Sequence, residues 1–209
     1  MQLTGGFSSN VVERYGDTVK KTGTTTIDEL IWYSAYPKKQ HLPNTITLEF
    51  VENVGAVDLD EVISIVEQYK SFQPINKLKF DSYYDRIMYH IEKSDVPNAY
   101  KLLEHLRTVK PLEPTFAHGD LSIRNIIQSK DGIKLIDPLY YRNFGSYILD
   151  YAKLAFTLKF YDNNVEGFEK IKVQAAHQQF DILVACECAR VATYRRQFDF
   201  ILENLINEL

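Results

Sequence analysis

The chain has 209 residues, with 24 basic and 28 acidic side chains and a net charge of -4. That length can bury a core in one domain or in two small lobes, and the slightly acidic balance leaves no electrostatic footprint for nucleic acid. No apolar run reaches the roughly 18 to 20 residues of a membrane span, and Met1-Gln-Leu-Thr-Gly-Gly6 lacks the basic and apolar regions of a signal peptide. Two cysteines, Cys186 and Cys188, stand two apart in a predicted helix and point to different faces. They make neither a metal site nor a disulfide framework, so the expected location is cytoplasmic.

Gln2–Thr4, Asn10–Tyr15 and Asp17–Thr22 alternate as three short strands. The first link, Gly5-Gly6-Phe7-Ser8-Ser9, can fold over phosphates, because glycine lets the backbone approach and exposes N–H groups. Lys20 and Lys21 end the third strand on opposite faces. Lys21 shares its face with apolar Val19, which makes it the inward candidate. A Thr-capped helix is predicted from residue 24, with Ile27, Leu30 and Ile31 at helical spacing. Its Glu29 either pairs with Lys21 or is a first-turn carboxylate favoured by the helix dipole. Pro37 and Pro43 punctuate a loop, Ile46–Val51 reads as a strand, and Glu52-Asn53 begins a connector. Near residue 53 strands give way to helices, dividing the chain into segments 1–53 and 54–209.

Asp58 and Glu61 form a capping-box-like start. Three apolar stripes follow: Leu59, Val62, Ile63 and Val66; then Tyr84, Ile87, Met88 and Ile91; then Ala99, Leu102, Leu103 and Leu106. His90 and His105 fall within these helices and read as structural or surface residues. Next comes the stretch Phe116-Ala-His-Gly-Asp-Leu-Ser-Ile-Arg-Asn-Ile-Ile127, with Thr115–Ala117 and Asn125–Gln128 predicted as short strands. Ser129-Lys-Asp-Gly132 is a tight turn, and Ile133–Ile136 returns antiparallel to deliver Asp137. A hairpin of this kind brings Asp120, Asn125 and Asp137 to one site. Phosphoryl transfer needs a carboxylate for the acceptor hydroxyl and hard oxygen ligands for Mg²⁺. Asp120 suits the first need; Asn125 and Asp137 suit the second. A helix over 144–160 and two or three more complete the chain. Arg190, Arg195 and Arg196 are expected on the solvated face of one late helix, with an anionic acceptor as the other reading.

The run from His118 to Asn125 resembles the catalytic loop of the aminoglycoside phosphotransferase and choline-kinase group, which has the protein-kinase-like fold and carries His-x-Asp-x-x-x-x-Asn. Ile136-Asp137-Pro138 is similar to that group's metal-binding segment, and Asp150-Tyr-Ala to its Asp-Leu-Ala, where the Asp braces the catalytic loop. The resemblance implies an α+β, two-lobed fold with a reduced N-terminal antiparallel sheet and a mainly helical C-terminal lobe. It implies ATP and Mg²⁺ as cofactors. By the same resemblance Asp120 is the catalytic base, and His118 stands with it as a brace rather than a proton carrier. Asn125 and Asp137 are the metal ligands. Gly5, Gly6, Ser8 and Ser9 form the phosphate loop, Lys21 holds the α- and β-phosphates with Glu29 as its partner, and the Glu52–Asn53 backbone is the hinge that binds adenine. The sequence departs from the pattern in three places, one of them a short C-terminal part that leaves little room for an elaborate substrate cap. The short link after Trp32 implies a sheet one strand short of five, and Ser122 stands where protein kinases carry a lysine. The expected activity is transfer of the γ-phosphoryl of ATP to a hydroxyl of a small molecule, such as a sugar or polysaccharide precursor. Two alternatives stay open: a nucleotide-binding regulatory protein with little turnover, and a protein kinase.

Overall fold

Alternation of apolar and polar residues builds a small antiparallel sheet at the start of the chain. In this computed structural model the described residues are 2–3, 11–23, 39–42, 45–72, 80–139 and 145–209. Five strands, β1 (Gln2–Leu3), β2 (Val11–Tyr15), β3 (Thr18–Thr22), β4 (Lys39–Leu42) and β5 (Thr45–Glu49), lie in the order β1-β2-β3-β5-β4. All four pairings are antiparallel. Ile46 and Leu48, on one face of β5, are buried, as period-two alternation demands.

The sheet therefore corrects one expectation. It is not a strand short, because β4 occupies the stretch read as a loop between Pro37 and Pro43. An edge strand needs no apolar alternation, and prolines are tolerated beside it, so Lys-Gln-His-Leu carried no strand signal.

Seven helices fill the rest of the described chain: α1 (Leu59–Tyr69), α2 (Phe80–Glu92), α3 (Tyr100–Thr108), α4 (Tyr147–Phe160), α5 (Val165–Ala175), α6 (Phe180–Ala192) and α7 (Asp199–Glu208). Asp58 caps α1, accepting from the N–H groups of Asp60 at 2.9 Å and Glu61 at 3.3 Å. The expected capping box is only half made. Glu61 Oε1 accepts instead from Ile133 N at 2.8 Å, and Asp58 N donates to Gln128 Oε1 at 2.8 Å. These two bonds dock α1 on the hairpin of β6 (Ile126–Ser129) and β7 (Gly132–Leu135).

On α2 the buried face is Tyr83, Ile87, His90 and Ile91, one residue round from the stripe expected at Tyr84 and Met88. Helices α4 and α6 are buried almost all round, as their continuous apolar sequences require. They run through a single core that reaches from Val62 to Ile206 and includes fully buried Tyr151, Phe156 and Phe180. Cys186 and Cys188 both lie in that core as free thiols.

Thr115–Ala117 forms no strand ladder. Thr115 N donates to Gly145 O at 2.9 Å, which anchors the approach to residues 118–125.

Candidate active site

The segment 117–125 is held from below by α4. Asp150, in the first turn of that helix, is 1% exposed and accepts from two successive N–H groups, His118 at 2.6 Å and Gly119 at 2.8 Å. Gly119 has φ +82, a conformation that lets both N–H groups point at one carboxylate and that a side chain would strain. Burial drives the Asp150 carboxyl up to about 7, while the two N–H bonds pull the other way. Further along, Ile123 N donates to Thr157 Oγ1 at 3.0 Å, so α4 grips the stretch twice.

His118 is fully buried. Its Nε2 contacts Ile136 O at 2.9 Å, and its Nδ1 accepts from Asp120 N at 3.3 Å. With Nδ1 accepting, the ring is neutral and Nε2–H donates to the carbonyl. Burial agrees, lowering the His118 pKa to about 4. The imidazole thus ties Asp120 to the end of β7. Leu139 N donating to His118 O at 2.8 Å closes the same loop from the other side.

Asn125, at the end of a short 3-10 turn, donates through Nδ2 to Asp120 O at 2.8 Å and to Asp120 Oδ2 at 3.3 Å. Both contacts use the amide nitrogen, so the Asn125 carbonyl oxygen faces away from Asp120 and keeps its lone pairs for another partner. Asp137 has φ +56, uncommon for a residue with a side chain, and its Oδ1 accepts from Lys21 Nζ at 2.9 Å. This ion pair joins β3 to the end of the hairpin. Lys21 is 11% exposed and its neighbour Lys20 faces solvent, as the shared face with Val19 indicated.

The structure thus brings Asp120, Asn125, Asp137, His118, Lys21 and Asp150 together. Among the described residues no group of three His, Cys, Asp or Glu side chains gathers around a metal position. One carboxylate and one amide oxygen still fit Mg²⁺, which keeps several waters and takes phosphate oxygens rather than a full protein cage. Gly5, Gly6, Ser8, Ser9 and Glu29 lie outside the described residues, as do Tyr140, Tyr141 and Arg142. At the connector, Val54 N donates to Gln128 O at 2.8 Å. No backbone–backbone hydrogen bond among the described residues engages Val51, Glu52 or Asn53.

Sequence reasoning missed the surroundings of Asp120. Lys153, one turn beyond Asp150 on α4, sits 3.3 Å from Asp120 Oδ1 and 3.7 Å from Glu187 Oε2. Glu187 is fully buried and takes Arg190 Nη1 on both oxygens, at 2.8 and 2.7 Å. Arg190 is therefore not on a solvated face. Nor do the three late arginines share a helix, since α6 ends at Ala192 and Arg196 pairs with Asp95 at 2.8 Å. Burial alone would raise the Asp120 carboxyl. Lys153 and Arg190 overcome that and hold it below its ordinary value. The available signal was a lysine in α4, and a Glu–Arg pair three apart in α6, each inside an otherwise apolar helix.

No family model matches the sequence, and no curated protein matches it. Solved structures do match in three dimensions. The choline kinase LicA from Streptococcus pneumoniae has a TM-score of 0.65 at 12% identity, over 99% of this chain and 92% of that one. LicA has also been solved in complex with AMP. A choline/ethanolamine kinase family protein from Mesorhizobium loti has a TM-score of 0.62 at 13% identity, over 100% of this chain and 87% of that one. A choline kinase from Cryptosporidium parvum has a TM-score of 0.56 at 12% identity, over 100% of this chain and 85% of that one. The described residues have the two-lobed, α+β, protein-kinase-like fold that these structures share.

Proposed function

We propose that this chain is an ATP-dependent phosphotransferase that moves the γ-phosphoryl of ATP to a hydroxyl of a small molecule, in our reading a sugar or polysaccharide precursor. The observation that carries the proposal is the 2.9 Å ion pair between Lys21 and Asp137, set beside the Asp120–Asn125 contact. It joins the sheet to the hairpin where a phosphate-binding cation and a metal-binding carboxylate are needed. The AMP complex of the pneumococcal neighbour supports a nucleotide in the same fold.

In this reading Lys21 takes the α- and β-phosphates, and the open backbone at Glu52 and Asn53 takes the adenine edge. Asn125 and Asp137 would hold Mg²⁺, which supplies positive charge to the β- and γ-phosphate oxygens. Asp120 orients the acceptor hydroxyl and receives its proton as the oxygen attacks phosphorus. With its carboxyl held low by Lys153 and Arg190, Asp120 acts first as an orienting group and takes the proton late. His118 and Asp150 fix the backbone that presents it. The reading as a non-catalytic regulatory protein drew on a shortened sheet, and the five strands remove that support.

Thermal-shift titration with ATP, with and without Mg²⁺, tests the proposal. Ligand at about a hundredfold over Kd should stabilise the protein by about 2.7 kcal/mol. The Mg²⁺-dependent part should vanish in Asp137→Ala. Stabilisation indifferent to Mg²⁺ in both proteins would sink the assignment.

A further inference from the structure

Asp120 is the exposed edge of a larger charged cluster. Lys153 stands against it, Glu187 and Arg190 of α6 lie behind, and Arg86 reaches the same place from α2. Arg86 and Arg190 line one small cavity with Tyr83, Gly119 and Asp150. Three cations thus meet the side chains of Asp120 and Glu187. The third acid, Asp150, already accepts the two loop N–H groups.

The cations are unequally used. Lys153 lies within reach of both carboxylates. Arg190 reaches Glu187 through Nη1 alone, and its Nε is buried with no hydrogen-bond partner among the described residues. Among the described residues Arg86 makes no hydrogen bond or ion pair. It is half-buried, and burial followed by the nearby Arg190 lowers its pKa to about 10. Arginines held this way leave donors without acceptors, an arrangement that favours an incoming oxyanion. A guanidinium binds carboxylate or phosphate through paired N–H groups, whereas a quaternary or primary amine brought between Arg86 and Arg190 would meet two like charges. His90, packed beside the cluster, registers that field. Burial and then Arg190 and Arg86 push its pKa down to about 4.

We propose that the acceptor is an anionic hydroxyl compound whose carboxylate or phosphate group binds Arg86 and Arg190 while its hydroxyl faces Asp120. The inference rests on the phosphotransferase reading above and adds the acceptor's chemical class. In the transfer, the acceptor oxygen forms a bond to the γ-phosphorus and the bond from that phosphorus to the β,γ-bridging oxygen breaks. The hydroxyl proton passes to the Asp120 carboxylate, and the nucleoside diphosphate leaves. Choline and ethanolamine, named for the structural neighbours, carry positive charge, so this chain should differ from them in the acceptor while sharing the fold.

Two arms test this separately from ATP binding. In the first, inorganic phosphate or glycerate is titrated at constant ionic strength and the melting temperature followed. Wild type should be stabilised, Arg86→Gln should not, and Arg86→Lys should recover part of the shift. No anion-dependent stabilisation, or the same shift in Arg86→Gln, overturns the site. The second arm measures acceptor-dependent ADP release with sugar acids, sugar phosphates, their neutral parents and choline. Anionic acceptors should be preferred, and Arg86→Gln should raise their KM by roughly 10- to 100-fold without altering Mg²⁺–ATP stabilisation. Equal or better kcat/KM on choline or a neutral parent overturns the proposal. Anion stabilisation lost in Arg86→Gln, in a protein that ignores Mg²⁺–ATP, would support the arginine site and sink the phosphotransferase reading instead.

Discussion

Replacing Asp150 by Asn puts the two forces on that buried carboxyl in direct opposition. Both of its oxygens accept, from His118 N at 2.6 Å and Gly119 N at 2.8 Å. An amide offers one oxygen, and its NH₂ would face the second backbone donor, at a cost of about 1–3 kcal/mol. The carboxyl also titrates, and the amide does not. Its folded pKa is raised to about 7 from an ordinary 3.8, chiefly by burial. The folded state then binds the proton more tightly than the unfolded chain. Its contribution is therefore full below about pH 4 and is lost as pH rises toward 7. Between pH 5 and pH 7 this amounts to two pH units at about 1.4 kcal/mol each, or roughly 3 kcal/mol. Wild type should thus lead Asp150→Asn most clearly near pH 5, and the lead should shrink by roughly that amount by pH 7. Urea unfolding followed by far-UV circular dichroism at pH 5, 6, 7 and 8 reads the difference. A lead that grows with pH would refute the reasoning. It would mean that the two N–H bonds outweigh burial and hold the carboxylate ionised.

Three other outcomes follow from the same geometry. His90 is buried and its pKa is lowered to about 4, so its contribution is present above 6.5 and is lost as pH falls through 4; His90→Gln should reduce acid destabilisation between pH 6.5 and pH 4.5 by roughly 3 kcal/mol in urea midpoints. A methyl group on Gly145 would stand 2.9 Å from Thr115 O, across a segment already joined by a backbone hydrogen bond; Gly145→Ala should cost about 1–3 kcal/mol and lower the melting temperature by several degrees. Lys153→Met removes the cation 3.3 Å from Asp120 and leaves Glu187 with Arg190; the acid limb of the pH–rate profile should move toward neutrality, and an unmoved limb would show that Lys153 does not set the Asp120 carboxyl.

The residues nearest the proposed chemistry were the easiest to read. His118, Asp120, Asn125 and Asp137 lie on a short hairpin whose turn is local in sequence, so spacing alone brought them together. Asp150 followed from its place on the next helix. Two kinds of feature escaped. The first was β4, because an edge strand of Lys-Gln-His-Leu between prolines obeys no period, and the sheet looked short without it. The second was the charge around Asp120. Arg190 read as a solvated residue because nothing in a linear pattern says that α6 is enclosed on every side; that follows from its packing against α3, α4 and α7. Thr115–Ala117 went wrong the other way. Its β-prone residues predicted a strand, but its neighbours supply isolated bonds rather than a ladder.

The hydrogen bond from Val54 N to Gln128 O bears on how the two parts of the molecule can swing. It fastens the end of the connector to the hairpin that leads to Asp137, and so ties residue 54 to the helical part. On the other side, Phe50 N is fastened to Asp17 O at 2.7 Å and travels with the sheet. A rotation between the parts would thereby fall on Val51, Glu52 and Asn53, which make no backbone–backbone hydrogen bond among the described residues. Such a rotation would swing Lys21 relative to Asp137, which lies on the far side of the same axle. A ligand that engaged the open backbone of those three residues would brake the axle itself, and so fix the spacing of a charge pair it need not touch.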